Sequence, residues 1–456
     1  MFLFLCLFAR VDVFAGTSVI INKTVILYDD TVTMRFVHDE SFFNSGWDTV
    51  AQTRFWKQII NLPSDTCIVN IAECRKPVGQ IAAKHWSRQS EQEKLCYKDS
   101  VCSVNSLAQG TSLFITTGKE EFYQVRKTLS IIDQSIGVFE SKGCDPWFAQ
   151  AILLIESPGK LKAKSVAGAV GPFQLMPYVA RKYGLIVNKQ LDERTDVTRS
   201  AQAAASLLTT SCIPAIHGFL QRKGIKYSTD DIWFKLLVLH VYHAGAGNVA
   251  CVMDSITEFT TGMDLMRKVW KTSCAGFQNE AQNYSQVALG SLLNFEELIA
   301  EDGDTVYLIT GDKLMHEFRT FRKDMQPVEA YEYMTQTLGA YEYDFLDEVM
   351  TFDQFISRIS DVRSAFISIA EGVGFNDGDI RFKKYPSDEE HLTRLGEELA
   401  KRRRFDDAIL LLKLDMELHP ESAIVADSLS RVYRLSGNKE MAEQYSRKSA
   451  ELSMGR

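Results

Sequence analysis

The segment of residues 155–177, IESPGKLKAKSVAGAVGPFQLMP, gives the strongest indication of the fold. It follows residues 147–155, a strongly apolar run whose spacing predicts a buried helix. That helix would end in a carboxylate, Glu156. Because desolvation penalises the charged form, a carboxyl group at such a place has a raised pKa. A general acid at neutral pH requires this property, so Glu156 is the candidate catalytic acid.

The loop after Glu156 is built from small residues and then a carboxamide. It contains Gly168, Ala169, Gly171 and Pro172, followed by Gln174. Glycines allow a backbone to approach a ligand closely, and a carboxamide offers both a donor and an acceptor to a sugar acetamido group. The loop therefore predicts a saccharide site beside the carboxylate.

This block resembles the transglycosylase SLT domain of glycoside hydrolase family 23. In that family Glu-Ser is followed by Ala-x-Ser-x-x-Gly-Ala-x-Gly-x-x-Gln-x-Met-Pro, and the matching residues here are Glu156, Ser157, Ala163, Ser165, Gly168, Ala169, Gly171, Gln174, Met176 and Pro177. Residues 242–249, YHAGAGNV, resemble the Tyr-Asn-Ala-Gly-x-Gly segment, and Tyr284 fits the last motif, Glu-Thr-x-x-Tyr. Residues 183–196 resemble the membrane-bound D-type branch. Four motifs in the family's order make the signal specific.

The resemblance implies a lysozyme-like, mostly helical domain over residues 122–295 and a lytic transglycosylase activity on peptidoglycan. Glu156 would protonate the β-1,4 glycosidic oxygen between N-acetylmuramic acid and N-acetylglucosamine, and then accept the proton of the muramoyl 6-hydroxyl. The product would be a 1,6-anhydromuramoyl end. Glycosidases usually use two carboxylates, whereas this reaction needs one.

The family pattern also implies roles for the other motif residues. Tyr284 would orient Glu156, and the substrate-binding set would be Ser165, Gln174, Tyr242, His243, Ala244 and Tyr284. His243 stands where the family has Asn. A structural role is open for several of them, because a serine can cap a turn and a tyrosine is often half-buried for packing alone. The acidic residues of segment 192–196 are expected to order that loop with Arg194.

The rest of the chain predicts a mainly α protein with further regions on either side of the catalytic domain. Residues 16–121 form an α+β region of unknown role, and residues 296–385 a helical connection. Residues 386–456 form tetratricopeptide-like helical hairpins, because Ala408 and Ala442 share a 34-residue spacing with further apolar pairs. So short a repeat cannot bury much surface alone and should dock on the preceding segment.

The first 15 residues resemble a secretory signal, which predicts export to the periplasm or outer cell envelope. In an exported chain the cysteines permit disulfides, with Cys67/Cys74 and Cys96/Cys102 as local candidates and isolated buried thiols as the alternative. No cysteine or histidine cluster has metal-ligand spacing, so neither a metal nor a cofactor is expected. The net charge of −8 disfavours a nucleic-acid partner.

Two other functions stay open beside the transglycosylase. One is a muramidase that hydrolyses the same bond, for which a second carboxylate across the cleft would speak. The other is a non-catalytic scaffold that binds glycan strands and recruits a protein partner through the C-terminal repeats.

Overall fold

The computed structural model describes residues 18–27, 30–108, 110–258, 260–321, 327–373 and 389–454. The chain divides into two compact units. Unit 1 contains the described residues up to Ile26 and Thr31–Val306, and unit 2 contains the short segment 27–30 and the described residues from Tyr307 onward. The predicted domain borders inside these units stay predictions.

Unit 1 is built mainly from helices. They are α1 (Glu40–Asn44), α2 (Ala51–Ile60), α3 (Ala83–Arg88), α4 (Glu91–Val104), α5 (Leu129–Ser141), α6 (Trp147–Glu156), α7 (Pro177–Lys182), α8 (Val197–Leu207), α9 (Ile213–Arg222), α10 (Ile232–Ala244), α11 (Ala246–Ser255), α12 (Gly262–Lys271) and α13 (Glu280–Ala300). The apolar helix α10 packs against α6, α9, α11, α12 and α13. A helix that is apolar on all sides is a core helix.

Two small sheets stand beside these helices. The strands are β1 (Ser18–Leu27), β2 (Asp30–Asp39), β3 (Thr66–Ile71), β4 (Pro77–Ala82), β5 (Leu113–Thr117) and β6 (Thr305–Tyr307). One sheet has the order β2-β1-β6 and the other the order β4-β3-β5. In the second sheet both pairs are antiparallel, with Cys67 opposite Ile81 on one side and Thr117 on the other.

The N-terminal strands are fastened to the helices by buried polar groups. The amide of Gln150 on α6 is fully buried and bonds both backbone groups of Val37, at 2.9 and 2.7 Å. Lys235 on α10 is 1% exposed and pairs with Asp39 at 3.1 Å and Asp145 at 3.0 Å. Separating these elements would leave a buried charge without its partner, which is strongly unfavourable. The contacts therefore hold β2 against α6 and α10.

Unit 2 is wholly helical in its described residues from Thr310 onward. Its helices are α14 (Thr310–Phe321), α15 (Pro327–Leu346), α16 (Phe352–Val373), α17 (Glu389–Lys401), α18 (Phe405–Leu418), α19 (Ala423–Ser436) and α20 (Lys439–Met454). One apolar core joins residues of α14–α16 to residues of α17–α20. The last four helices therefore dock on the preceding segment, as so short a repeat requires.

The spacing found in the sequence relates equivalent positions of these last helices. The buried pairs 34 residues apart are Ala408 and Ala442, Leu395 and Leu429, and Leu399 and Tyr433. A Cβ at Gly396 would lie 2.7 Å from Leu412, so α17 and α18 approach closely at this glycine. The predicted fold class, mainly α with helical hairpins at the C-terminus, is confirmed. That the hairpins are tetratricopeptide repeats stays a prediction.

The cysteines depart from the predicted local pairs. Cys251 at α11 is bonded to Cys274, beyond α12, whereas Cys67, Cys74, Cys96 and Cys102 are free. Both predicted pairs were wrong. Cys96 and Cys102 lie on one helix, where six residues span about 9 Å, too far for a disulfide. Cys67 is buried in β3 while Cys74 is exposed in the following hairpin.

Helices α8 and α9 are joined through a π-helical turn into one helix, Val197–Arg222. By length and composition alone it could cross a membrane. Its residues Ala203, Ala204 and Leu208 are fully buried inside unit 1, and a core helix passes the same test.

Candidate active site

Glu156 is the last residue of α6. Every other residue of this helix is buried, while the Glu156 side chain keeps part of its surface open. The helix ends here because the residue before a proline avoids the helical conformation: Ser157 leaves it, with φ −152° and ψ 57°, ahead of Pro158. A rigid apolar helix thus carries the carboxylate at its tip.

Tyr284 on α13 holds this carboxylate. Its hydroxyl donates to Glu156 Oε1 at 2.7 Å, and the residue is only 8% exposed. Loss of water around the carboxylate raises the pKa of Glu156 to about 7, although the hydrogen bond from Tyr284 acts in the opposite direction. Near neutral pH the group therefore exchanges a proton readily, which suits a general acid that must also act as a base.

Two further tyrosines surround the same carboxylate. Burial, and then the negative charge of Glu156, raise the pKa values of Tyr123 and Tyr242 above the ordinary range. Their hydroxyls therefore stay protonated. Tyr242 donates to the Phe173 carbonyl at 2.7 Å. No sequence motif marks Tyr123, which lies two residues before the 3-10 turn Val125–Thr128 that leads into α5.

The glycine-rich loop is held against the tip of α6 from two sides. The Ser157 hydroxyl donates to the Pro172 carbonyl at 3.0 Å, and it is buried. Gly171 has φ +85°, and a Cβ there would lie 1.8 Å from the Arg194 carbonyl oxygen. Only glycine fits this close approach.

Arg194 ties the loop to the acidic segment behind it. Its guanidinium is 5% exposed and donates to the carbonyls of Gly168 at 2.9 Å and Leu175 at 3.0 Å. Asp192 accepts two bonds from the same guanidinium, at 2.8 and 2.6 Å. Asp196 caps α8 through the backbone of Arg199. These acids order the loop, in agreement with the structural role predicted for them.

Ser165 and Gln174, two predicted substrate contacts, also hold the loop together. The Ser165 hydroxyl oxygen accepts from the Ala169 backbone at 3.0 Å. Gln174 has φ +44°, and its amide nitrogen donates to the carbonyls of Ala163 at 3.0 Å and Gly171 at 2.9 Å. Within the described residues the carbonyl oxygen of the Gln174 side chain accepts no hydrogen bond, so it remains free for a ligand.

The segment at the end of α10 brings His243 to the tyrosine that holds Glu156. The His243 ring stacks on Tyr284 with centroids 4.2 Å apart and planes 20° apart, and its other side is exposed. Desolvation by this packing lowers the pKa of His243, while the charge of Glu280 raises it. The ring is therefore mostly neutral at neutral pH.

Ala244 and Gly245 make the turn between α10 and α11. The Ala244 carbonyl accepts from Asn248 at 2.8 Å, and Gly245 has φ +84°. The structure thus gathers Tyr284, Tyr242 and Tyr123 around the Glu156 carboxylate, and the His243 ring stacks on Tyr284. Ser165 and Gln174 lie in the loop between α6 and α7, and Ala244 is the last residue of α10.

Comparison with known proteins agrees with this geometry. Residues 139–255 match the family model described as the transglycosylase SLT domain. No curated protein matches the chain significantly. The match includes Glu156 and the segment 242–249, and Tyr284 lies beyond it. The match of this segment supports a transglycosylase SLT domain, which indicates a peptidoglycan-cleaving activity of the lytic transglycosylase type in general.

Proposed function

We propose that this protein is a lytic transglycosylase that cleaves the β-1,4 bond between N-acetylmuramic acid and N-acetylglucosamine and leaves a 1,6-anhydromuramoyl end. The observation that carries the proposal is the state of Glu156: partly buried, bonded by Tyr284 at 2.7 Å, and with a pKa raised to about 7. Such a carboxyl group can give up a proton and take one back near neutral pH.

The reaction uses this one group twice. Glu156 donates its proton to the glycosidic oxygen as the bond from that oxygen to the anomeric carbon breaks. The muramoyl 6-hydroxyl then attacks the anomeric carbon, and the ionised Glu156 accepts the hydroxyl proton. One C–O bond is broken, one is formed, and no water is consumed. Tyr284 keeps the carboxylate aimed throughout, because its phenol stays protonated.

The electrostatic surroundings of Glu156 favour this route over hydrolysis. The groups that shift its pKa or respond to its charge in the described residues are Tyr284, Tyr242 and Tyr123, and no second carboxylate is among them. The acids Asp192 and Glu193, in the segment before α8, are paired with Arg194 and Arg199. A hydrolase of the usual kind places a second carboxylate to activate water or to attack.

Product analysis on purified sacculi tests the proposal. We expect muropeptides lighter by one water molecule than those released by a muramidase, as an anhydro end requires. Glu156→Gln should reduce release by at least about a hundredfold, since general acid catalysis contributes ~10²–10⁴-fold. Hydrated products would assign the chain to the muramidases instead.

A matched variant separates loss of chemistry from loss of fold. Glu140 on α5 is a partly exposed carboxylate of the same unit, 3.9 Å from Arg35. Glu140→Gln makes the same chemical change and should leave release unchanged. If Glu156→Gln clears sacculi as fast as the parent protein, the catalytic assignment fails, and a scaffold that only binds glycan strands becomes the better description.

We also propose that the enzyme is exported and belongs to the D-type branch. The Cys251–Cys274 disulfide supports export, because such bonds persist in oxidising compartments. The signal-like residues 1–15 lie outside the described residues. The C-terminal hairpins supply a surface for a protein partner, and the exposed Ile424 and Leu435 support that role.

A further inference from the structure

A cavity opens on unit 1, and its walls contain neither Glu156 nor the three tyrosines around it. Its volume is about 530 Å³, within the range of small-ligand sites. It is lined by the β3–β4 hairpin, the approach to β5, and helices α12 and α13, with Arg75, Phe114, Arg267, Lys271, Asn283 and Gln286 among its walls. None of these residues belongs to the segment that matches the SLT family.

Arg75 is the feature that sets this cavity apart. Its side chain lies in the wall although the residue is only 8% exposed. The guanidinium is stacked against three rings: it lies 5.6 Å from Phe55, 5.8 Å from Trp56 and 5.0 Å from Phe114. Aromatic faces stabilise a cation held in this way. The charge is thus fixed in place and largely stripped of water.

The polar partners of Arg75 are neutral. One nitrogen donates to Asn70 Oδ1 at 3.3 Å and another to Asn283 Oδ1 at 2.7 Å. Across the described part of the chain, no carboxylate forms an ion pair with Arg75. Burial lowers the pKa of Arg75 to about 10, so it remains charged at neutral pH. A guanidinium has five N–H donors, and these two bonds leave several of them for a ligand.

The other charges of the cavity are already matched. Lys271 pairs with Glu73 at 2.7 Å, and Arg267 pairs with Asp264 at 3.1 Å. Both pairs lie at the rim and are exposed to solvent, where they add little energy. The buried positive charge that lacks a counter-ion is therefore that of Arg75.

The backbone of Arg75 is held in an unfavourable conformation. It has φ 59°, the left-handed region that residues other than glycine avoid. Its N–H bonds the Ile71 carbonyl at 2.8 Å and closes the hairpin. Such strain persists only where the surroundings impose it, and it concentrates at functional sites.

We propose that this cavity binds a free carboxylate of the peptide stems of peptidoglycan, with Arg75 as the anchoring residue. The proposal rests on the proposed function for its substrate, since uncrosslinked stems carry free carboxylates. A guanidinium binds a carboxylate through two parallel hydrogen bonds, which neither a lysine nor an amide reproduces. The chain as a whole is acidic, so a general attraction for anions does not explain the site.

The cavity also touches α13, the helix that carries Tyr284. Asn283, which bonds Arg75, is the neighbour of Tyr284 on α13. Successive residues of a helix point about 100° apart. In one turn of α13, Asn283 therefore faces the cavity while Tyr284 contacts Glu156. A bound stem would thus lie on the element that positions the catalytic carboxyl group.

Calorimetric titration of the full-length protein tests the site. The probes are a synthetic stem tetrapeptide with free carboxylates, the same peptide with its carboxylates amidated, and inorganic phosphate. We expect the free acid to bind, and the amide and phosphate to bind at least about tenfold more weakly. Equal binding of acid and amide overturns the proposal. Equal binding of phosphate reduces the site to a simple anion site and also overturns it.

Three variants sharpen the test. Arg75→Lys keeps the charge but loses the planar fork, and should weaken peptide binding at least about tenfold. Arg88→Lys, the same change at an exposed position of α3, should have no effect. Asn283→Asp puts a carboxylate 2.7 Å from the Arg75 guanidinium, where it would neutralise the charge that the peptide carboxylate is proposed to bind. It should abolish peptide binding and raise the melting temperature. Peptide binding that survives Asn283→Asp refutes the assignment.

The outcome is independent of the proposed reaction, because the tetrapeptide has no glycosidic bond. Glu156→Gln should bind the peptide as the parent does. If sacculi stay intact but the peptide binds, only the proposed reaction fails. If sacculi are cleaved but the peptide does not bind, only the stem site fails.

Discussion

At the scale of single residues, the properties of Glu156 follow from the water it has lost. The apolar tip of α6 raises the pKa of its carboxyl group to about 7, and the hydrogen bond from Tyr284 limits that rise. Burial therefore disfavours the ionised form of Glu156, and the hydrogen bond from the Tyr284 hydroxyl partly stabilises that form. Placement at the helix end was visible in the sequence, but the orienting contact spans 128 residues and depends on how α13 packs.

The first prediction concerns the pH dependence of cleavage. The acid step needs protonated Glu156, so the rate should fall as pH rises above about 7. Tyr284→Phe removes the bond that lowers this pKa, so the falling limb should move to higher pH. The rate below the limb should drop about tenfold or more, since a hydrogen bond to a charged group is worth ~1.5–3 kcal/mol. Initial rates of sacculus solubilisation across pH measure both effects.

Tyr183→Phe is the control for that substitution. Tyr183 is a tyrosine of the same unit that bonds Ser211 at 2.9 Å, and it has no contact with Glu156. Its variant should keep the parent's pH profile. A limb that stays put or moves to lower pH in Tyr284→Phe would contradict the assigned role of Tyr284.

The second prediction is a gain of stability when the catalytic group is neutralised. The folded pKa of Glu156 lies above its ordinary value of 4.5, so ionisation favours the unfolded chain and stability is lost as pH rises from 4.5 to about 7. Glu156→Gln should raise the free energy of unfolding by about 1–2 kcal/mol near pH 8, after discounting for partial exposure. Below pH ~4 the two proteins should be equal. Urea unfolding at both pH values checks this, and an equal difference at the two values would contradict it.

At the scale of elements, the loop between α6 and α7 is shaped by packing as much as by its glycines. Gly168 and Gly171 both have positive φ, but only at Gly171 does another backbone fill the place of a Cβ. Arg194 lies across this loop and bonds two of its carbonyls. The sequence shows that the loop is built from small residues. It does not show why each position needs one, because the contact that requires glycine at Gly171 comes from Arg194, in a later segment.

The third prediction uses these two glycines as a matched pair. Gly168→Ala should destabilise the protein only through its left-handed backbone conformation, by about 1–2 kcal/mol. Gly171→Ala has the same backbone cost, and its Cβ would also lie 1.8 Å from the Arg194 carbonyl oxygen. It should destabilise unit 1 by at least ~2 kcal/mol more than Gly168→Ala and abolish sacculus cleavage. Thermal melting of the two variants decides, and equal losses would show that the contact with Arg194 does not constrain the loop.

At the scale of the whole molecule, each of the two units has an apolar core of its own. The core of unit 2 joins α14–α16 to the C-terminal hairpins, so those hairpins are structurally inseparable from the connecting helices. Deleting residues 386–456 would expose that core. Point substitutions are therefore the better way to ask what unit 2 does.

The fourth prediction separates the stability of unit 2 from catalysis. Leu412 on α18 is fully buried, and Leu412→Ala should cost about 2–5 kcal/mol. Calorimetry should show one transition lowered, while sacculus cleavage at room temperature stays unchanged. Leu410→Ala, on the same helix but 46% exposed, should change stability by less than ~0.5 kcal/mol. Loss of cleavage in Leu412→Ala alone would show that unit 2 supports the active site.

The amino-acid pattern alone predicts the apolar helix that ends in Glu156, the glycine-containing loop that follows it and the spacing of the C-terminal hairpins. These features are local: the period of apolar residues, a proline and small side chains act within a few residues of one another. Three further features depend on how the elements pack: Tyr123 joins Tyr242 and Tyr284 around the carboxylate, Cys251 bonds Cys274, and Arg75 lines a cavity beside α13. Those contacts join residues far apart in the chain, and their energies depend on burial, which exists only once the elements have packed.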